Sequence, residues 1–252
     1  MVQEKTIGKN KLLVICGTTA VGKSALALEL SKMLNIQIVS ADSMQIYQSL
    51  DIGTAKPSIS ELKNCKHHMI DNVSPFQNYN VYQYTNDAIN AINQIWMDGD
   101  LPVVVGGTGL YIESLLNNYK FQDDKKQQLP DCDIRILALT RDRELIYNRI
   151  NQRVDDMIQN GLVDEVKKLR EIGLNNEHQC MQAIGYKEIW DYLEGNISLE
   201  QAIYDIKINS RHYAKRQITW FRHMDCEWVD IDKDKSNLIQ NLCEYYIEFA
   251  KK

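Results

Sequence analysis

The chain has 252 residues, 44% hydrophobic and 25% charged, an ordinary globular composition with enough residues to bury one sizeable core, so a single domain over 1–252 is expected. A net charge of −5 excludes a chain-wide electrostatic grip on nucleic acid, and any RNA contact must come from a local basic face. Six scattered cysteines without a C-x-x-C pair, a polar start over 1–10 and no apolar run near the roughly 18 residues of a membrane span point to a soluble cytoplasmic protein.

Residues 11–16 (KLLVIC) form a short apolar run ending at a glycine, and Leu26, Leu30 and Leu34 then recur at helical spacing across 24–34. That pattern reads as strand, loop, helix. Residues 36–40 are a second buried-strand candidate, 81–96 a helix, and 102–106 (PVVVG) and 134–139 (IRILAL) two further strands. Such alternation predicts a parallel sheet covered by helices. After Thr140 the pattern is almost wholly helical until 227–230, a last strand, and a C-terminal helix from about Ser236. No internal repeat is visible, and 122–128 (QDDKKQQ) reads as a solvated loop.

Gly17, Thr18, Thr19, Ala20, Val21, Gly22, Lys23 and Ser24 fit G-x-x-x-x-G-K-[ST] between a predicted strand and a predicted helix, the context this motif requires. The fold class that follows is α/β, a P-loop NTPase-like three-layer parallel sheet with helices on both faces and a helical C-terminal half. Backbone N–H groups of such a loop face phosphate oxygens, Lys23 adds a point charge, and the Ser24 hydroxyl can ligate magnesium. The motif selects neither the polyphosphate nor the bond that breaks.

No apolar strand ends in an aspartate of the magnesium-holding kind. The run Val103, Val104, Val105 leads instead into 106–111 (GGTGLY), where glycines allow close approach and the Thr108 hydroxyl can reach a phosphate oxygen or cap the next helix. Asp42 stands just past the second strand, on the sheet edge where open parallel sheets hold ligands. There it suits a general base, or a cap on the chain that follows.

Seven ordered segments resemble the tRNA dimethylallyltransferases, also called isopentenyl-tRNA transferases. They are 17–24, 40–47 (SADSMQIY), 51–57 (DIGTAKP), 67–71 (HHMID), 106–111, 182–188 (QAIGYKE) and 213–220 (YAKRQITW). The resemblance implies that the P-loop holds the diphosphate of dimethylallyl diphosphate and that Asp42 is the general base for an adenine N6 amine in the anticodon stem-loop of tRNA. It also implies that Asp42, Ser43, Met44, Gln45 and Gln182, Ala183, Ile184, Gly185, Tyr186, Lys187 contact the extruded nucleotide and its neighbours. Tyr186 or Met44 could pack on a base, with structural packing the rival reading for Tyr186. Mg2+ and a monomer are expected.

Arg149 and Arg153 are four apart and share a helix face, so they are candidates to close over the phosphates, or to pair with acidic neighbours; the resemblance favours Arg153. Residues 207–223 hold no acid, and Lys207, Arg211, Lys215 and Arg222 recur near helical spacing, a local basic face. Within it Arg211 and Arg216 are candidates for diphosphate or tRNA backbone, with Arg216 favoured. Tyr213, Trp220 and Phe221 read as core before stacking platforms. His67 and His68 are adjacent, a spacing that suits packing and hydrogen bonding better than one shared metal ion.

Family members carry a helical insertion after the GGTGLY helix, with an arginine-rich segment implicated in gripping the anticodon arm. Here the connection is reduced to a linker at about 120–133. Prenylation of free adenylate, a P-loop kinase of a small metabolite and a non-catalytic RNA-binding remnant are the competing readings.

Overall fold

The computed structural model describes residues 10–116 and 127–251. In chain order the elements are β1 (Lys11–Gly17), α1 (Lys23–Leu30), β2 (Ile36–Ala41), α2 (Ile59–Asn64), β3 (His67–His68), α3 (Val81–Asp98), β4 (Leu101–Gly106), α4 (Gly109–Leu116), β5 (Asp133–Thr140), α5 (Arg143–Gln159), α6 (Leu162–Glu171), α7 (Tyr186–Leu193), α8 (Leu199–Phe221), β6 (Glu227–Asp230) and α9 (Ile231–Tyr245). Residues 1–9 of the expected polar start, most of the solvated loop at 122–128 and residues 120–126 of the expected linker lie outside the described residues. No helix among those described is long and apolar enough to cross a membrane.

The six strands form one sheet in the order β3-β2-β4-β1-β5-β6, and every pairing is parallel. Strand β1 is central and buried on both faces, which is why it reads as an uninterrupted apolar run. Its side chains alternate: Leu12, Val14 and Cys16 enter the core beneath α3, α4 and the helices of the C-terminal half, while Leu13 and Ile15 enter the core beneath α1 and α9. Each of these leucines and valines is fully buried, a contribution of roughly 1.5–3 kcal/mol apiece.

Two predicted boundaries move by about a helical turn, the others by one or two residues. The first helix ends at Leu30, not Leu34; Ser31 caps it and turns its hydroxyl to Leu28 O at 2.8 Å, and Leu34 forms an antiparallel bridge with Ala250. Leu26, Leu30 and Leu34 nevertheless enter one core, so the spacing identified a buried face and overextended the helix. The C-terminal helix begins at Ile231, directly after β6, because the Asp230 carboxylate accepts from Asp232 N at 3.1 Å and starts it there.

The adjacent histidines serve different partners. His67 Nδ1 meets Cys65 O at 2.7 Å and His68 Nε2 meets Gln37 Oε1 at 2.8 Å. Burial lowers both imidazole pKa values, and the two rings hold the short edge strand rather than one ion.

Candidate active site

The loop between β1 and α1 turns on Gly17 (φ +139°), where any side chain would collide with Leu139 O, and on Gly22 (φ +115°), the N-cap of α1. Thr18 and Val21 are buried and shape the loop from behind. Thr19, Ala20, Gly22, Lys23 and Ser24 line a cavity of about 450 Å3 above the carboxyl ends of the strands. Lys23 Nζ lies against Gly17 O (3.1 Å) and Thr18 O (2.7 Å). Its pKa is lowered to about 8, first because it is withdrawn from bulk water and second because the Arg153 guanidinium is near; Asp42 acts in the opposite direction.

Helix α5 supplies both predicted arginines, and both reach the phosphate loop. Arg149 Nε donates to Ala20 O at 2.8 Å and Arg153 Nη1 to Thr19 Oγ1 at 3.2 Å. The spacing of four places them on one face, as expected. Ile146, Ile150 and Val154 on the same helix are buried and set that orientation.

On the opposite side, β2 ends at Ala41 and delivers Asp42 into the cavity. Asp42 Oδ1 accepts from Met44 N (2.9 Å) and Gln45 N (3.3 Å), so the capping role is real, although what it caps is a turn and not a helix. Thr108 Oγ1 accepts from Ser43 N at 3.1 Å, and Thr108 N donates to Ala41 O at 3.2 Å. The GGTG turn therefore packs directly on the carboxylate-bearing turn. Thr108 also begins α4, its carbonyl accepting from Tyr111 N and Ile112 N.

Sequence reasoning did not single out Gln217, a buried residue of α8. Its Oε1 accepts from Thr19 N at 2.8 Å and its Nε2 donates to Gly107 O at 2.9 Å, so one amide ties the phosphate loop to the GGTG turn. A Cβ at Gly107 would collide with that amide. A single polar residue on a long helix carries no periodic signal, and only the fold shows what it joins. Gln217→Leu leaves the buried Gly107 carbonyl and the half-buried Thr19 N–H without their partner and is expected to cost about 1–3 kcal/mol, read as a lower midpoint in thermal or denaturant unfolding.

Tyr213 stands beside Thr108 and Gln217, and its phenol is pushed up to about 12, mainly by burial and then by the Asp42 carboxylate. It lines the cavity with Arg216 and is not core, unlike Phe221, which is fully buried. Trp220 is 40% exposed, and its indole lies so close to Gly109 that no side chain would fit there. Part of the predicted basic face turns inward: Lys207 pairs with Asp155 at 2.6 Å, and Arg211 donates to Asn151 at 2.6 Å. Lys215, Arg216, Arg222 and His223 stay exposed.

The cavity continues from Asp42, Ser43, Met44 and Gln45 to Gln182, Ala183 and Ile184. The remainder of that second segment behaves differently. Tyr186 is wholly buried and donates its hydroxyl to Glu165 Oε1 at 2.5 Å, so no base can stack on its ring. Gly185 is buried at the start of α7, and Lys187 points away toward Glu188 at 3.7 Å.

A phosphate loop after the central strand, with two arginines and a carboxylate in one cavity, is the layout of a P-loop protein. The IPP transferase family matches residues 45–129 and 120–224. The tRNA dimethylallyltransferase of Bacillus mycoides (strain KBAB4) is 38% identical over 304 aligned residues, covering 94% of this chain and 96% of that protein. The same figures hold for the tRNA dimethylallyltransferase of Bacillus cereus (strain AH187). Among solved structures, the full-length tRNA isopentenylpyrophosphate transferase of Bacillus halodurans superposes with a TM-score of 0.86 at 35% identity, over 95% of this chain and 96% of that one. The tRNA delta(2)-isopentenylpyrophosphate transferase of Staphylococcus epidermidis gives 0.86 at 33%, over 95% and 100%. The chain belongs to the tRNA dimethylallyltransferase family, enzymes that transfer a prenyl group to tRNA, as its motif order implied. The 304-residue alignment is longer than this chain's 252 residues, so the relatives carry residues without a counterpart here, and the family match divides between 120 and 129.

Proposed function

We propose that this chain transfers the dimethylallyl group of dimethylallyl diphosphate to the N6 amine of the adenosine 3′-adjacent to the anticodon in tRNA, releasing diphosphate. One observation carries the reading: a single cavity joins Lys23, Arg149 and Arg153 at the phosphate loop to Asp42 and continues to Gln45 and Gln182. As the allylic C–O bond lengthens, negative charge builds on the departing diphosphate, and Lys23, Arg153 and Arg216 are placed to meet it. The adenine amine is a weak nucleophile because its lone pair is delocalised into the ring. Loss of its proton to Asp42 as the new C–N bond forms offsets that weakness. Asp42 Oδ1 is engaged by two backbone N–H groups, which orients the second oxygen for the proton.

Magnesium fits as part of a metal–diphosphate complex. No group of three or more His, Cys, Asp or Glu that could hold a metal occurs among the described residues, while Ser24 is exposed in the first turn of α1 and lines the cavity. A cation that prefers substrate oxygens, water and one hydroxyl suits that donor set. When bound it would supply charge neutralisation at the leaving group.

The adenine must leave the anticodon-loop stack to reach Asp42, and Met44, Gln45 and Gln182 to Ile184 form the wall that would receive it. We read the linker at 120–133 as a reduced form of the family insertion, which leaves the RNA grip to Lys215, Arg216, Arg222 and the cavity mouth. Incubation with dimethylallyl diphosphate and an unmodified anticodon stem-loop, followed by nucleoside mass analysis, is expected to yield prenylated adenosine. Product from AMP alone would favour the free-adenylate reading, and ADP release from ATP with an acceptor would favour the kinase.

A further inference from the structure

Glu165 stands in the first turn of α6, outside the cavity, and its carboxylate holds a loop that lines it. Oε2 accepts from Asp51 N (3.1 Å) and Ile52 N (2.8 Å), and Oε1 accepts from Gly53 N (3.2 Å) and the Tyr186 hydroxyl (2.5 Å). Three consecutive backbone N–H groups and a phenol thus converge on one carboxylate. The Tyr186 ring lies against Gly53 so closely that a Cβ there would collide with it. An ionised carboxylate is the side chain that satisfies four donors with two oxygens; an amide would turn an NH2 toward at least one of them.

What this carboxylate holds faces the acceptor half of the cavity. Gly53, Thr54 and Ala55 line it, and the carbonyls of Thr54 and Ala55 accept from Gln45 Nε2 at 3.1 and 3.2 Å. Gln45 N in turn donates to Asp42 Oδ1. A shift of the 51–55 loop therefore reaches the proposed base in two steps. The phosphate loop is braced independently, by Arg149, Arg153 and Gln217. Lys56, bonded to Tyr47 O and paired with Asp51 and Asp71, is a second tether that keeps the loop in the fold when Glu165 is removed.

We infer that Glu165 is a positioning residue for the tRNA acceptor, pinning the 51–55 loop so that Gln45 and Asp42 present a fixed surface to the adenine; this rests on the function proposed above. The test compares the parent with Glu165→Ala, Glu165→Gln, Tyr186→Phe and the Glu165→Ala/Tyr186→Phe double variant. The anticodon stem-loop and dimethylallyl diphosphate are varied separately. Glu165→Ala is expected to lower kcat/KM for the stem-loop about 10- to 100-fold, while KM for dimethylallyl diphosphate stays within about twofold. Glu165→Gln restores part of the loss, and the double variant is no worse than Glu165→Ala alone. Hydrogen exchange at Asp51, Ile52 and Gly53 accelerates in Glu165→Ala. If that variant does not fold, Tyr186→Phe carries the test, with faster exchange at the same amides and a higher stem-loop KM. A KM raised equally for both substrates, or stem-loop kinetics unchanged from the parent, overturns the inference. A parent that fails to prenylate the stem-loop defeats the proposed function instead; stem-loop Kd and amide exchange then decide for Glu165, a Kd unchanged in Glu165→Ala overturning the inference.

Discussion

Asp42→Asn is expected to lower kcat for prenyl transfer about 10²- to 10⁴-fold, the range that a positioned general base supplies, with dimethylallyl diphosphate binding nearly unchanged. Asparagine is the informative substitution. The Asp42 carboxylate caps the turn, through Oδ1 to Met44 N and Gln45 N, and in the proposed reaction its other oxygen takes the amine proton. Asparagine keeps an oxygen for the cap and removes the base, whereas alanine would remove both and confound geometry with proton transfer. Single-turnover assays with prebound allylic donor read the chemical step directly. Activity equal to the parent would take Asp42 out of proton transfer.

Lys23→Met is expected to reduce kcat/KM for the allylic diphosphate about 10²- to 10³-fold, because in the proposed reaction Lys23 is one of the charges that meet the departing phosphate. The same residue predicts a pH effect. Its folded-state pKa lies near 8, below the ordinary 10.5, because it is withdrawn from water and sits near Arg153. The empty site therefore loses this charge as pH rises through about 8, and KM for dimethylallyl diphosphate is expected to climb there. Bound diphosphate restores the proton, so calorimetry in buffers of different ionisation enthalpy should show proton uptake on binding above about pH 8. For stability the sign is opposite to that of an ion-paired lysine. Below pH 8 the folded protein holds the charged form at full cost, and the cost is relieved as pH rises from about 8 to 10.5, where the unfolded chain binds the proton and the folded chain does not. In Lys23→Met this rise of stability with pH is expected to be absent, read as a thermal midpoint that falls relative to the parent's between about pH 8 and 10.5.

Near-continuous apolar strands and helices at regular spacing made the parallel sheet and its helical covers legible in the chain, because burial on both faces leaves no polar side chain in β1 after Lys11 at its start. The phosphate loop was legible for a similar reason: glycines at Gly17 and Gly22 take backbone angles that few other residues adopt, and Lys23 and Ser24 follow at fixed offsets. The Arg149 and Arg153 pair followed from the helical repeat. Tyr186 did not. A tyrosine in a segment that lines the cavity has the composition of a stacking platform, and only the packing of α6 and α7 shows its ring buried and its hydroxyl committed to Glu165.

By itself the sequence determined what is local or periodic: the α/β class, the phosphate loop, the carboxylate after the second strand and, through the order of seven motifs, the family. The tertiary structure decided everything that depends on residues distant in the chain meeting. Gln217 reaches Thr19 across 198 positions, Glu165 reaches Gly53 across 112, and the inward turn of Lys207 and Arg211 is set by the packing of α5 on α8. The physical reason is that backbone geometry constrains near neighbours through angles and spacing. A hydrogen bond between remote polar side chains leaves no periodic trace until the sheet has brought them within about 3 Å.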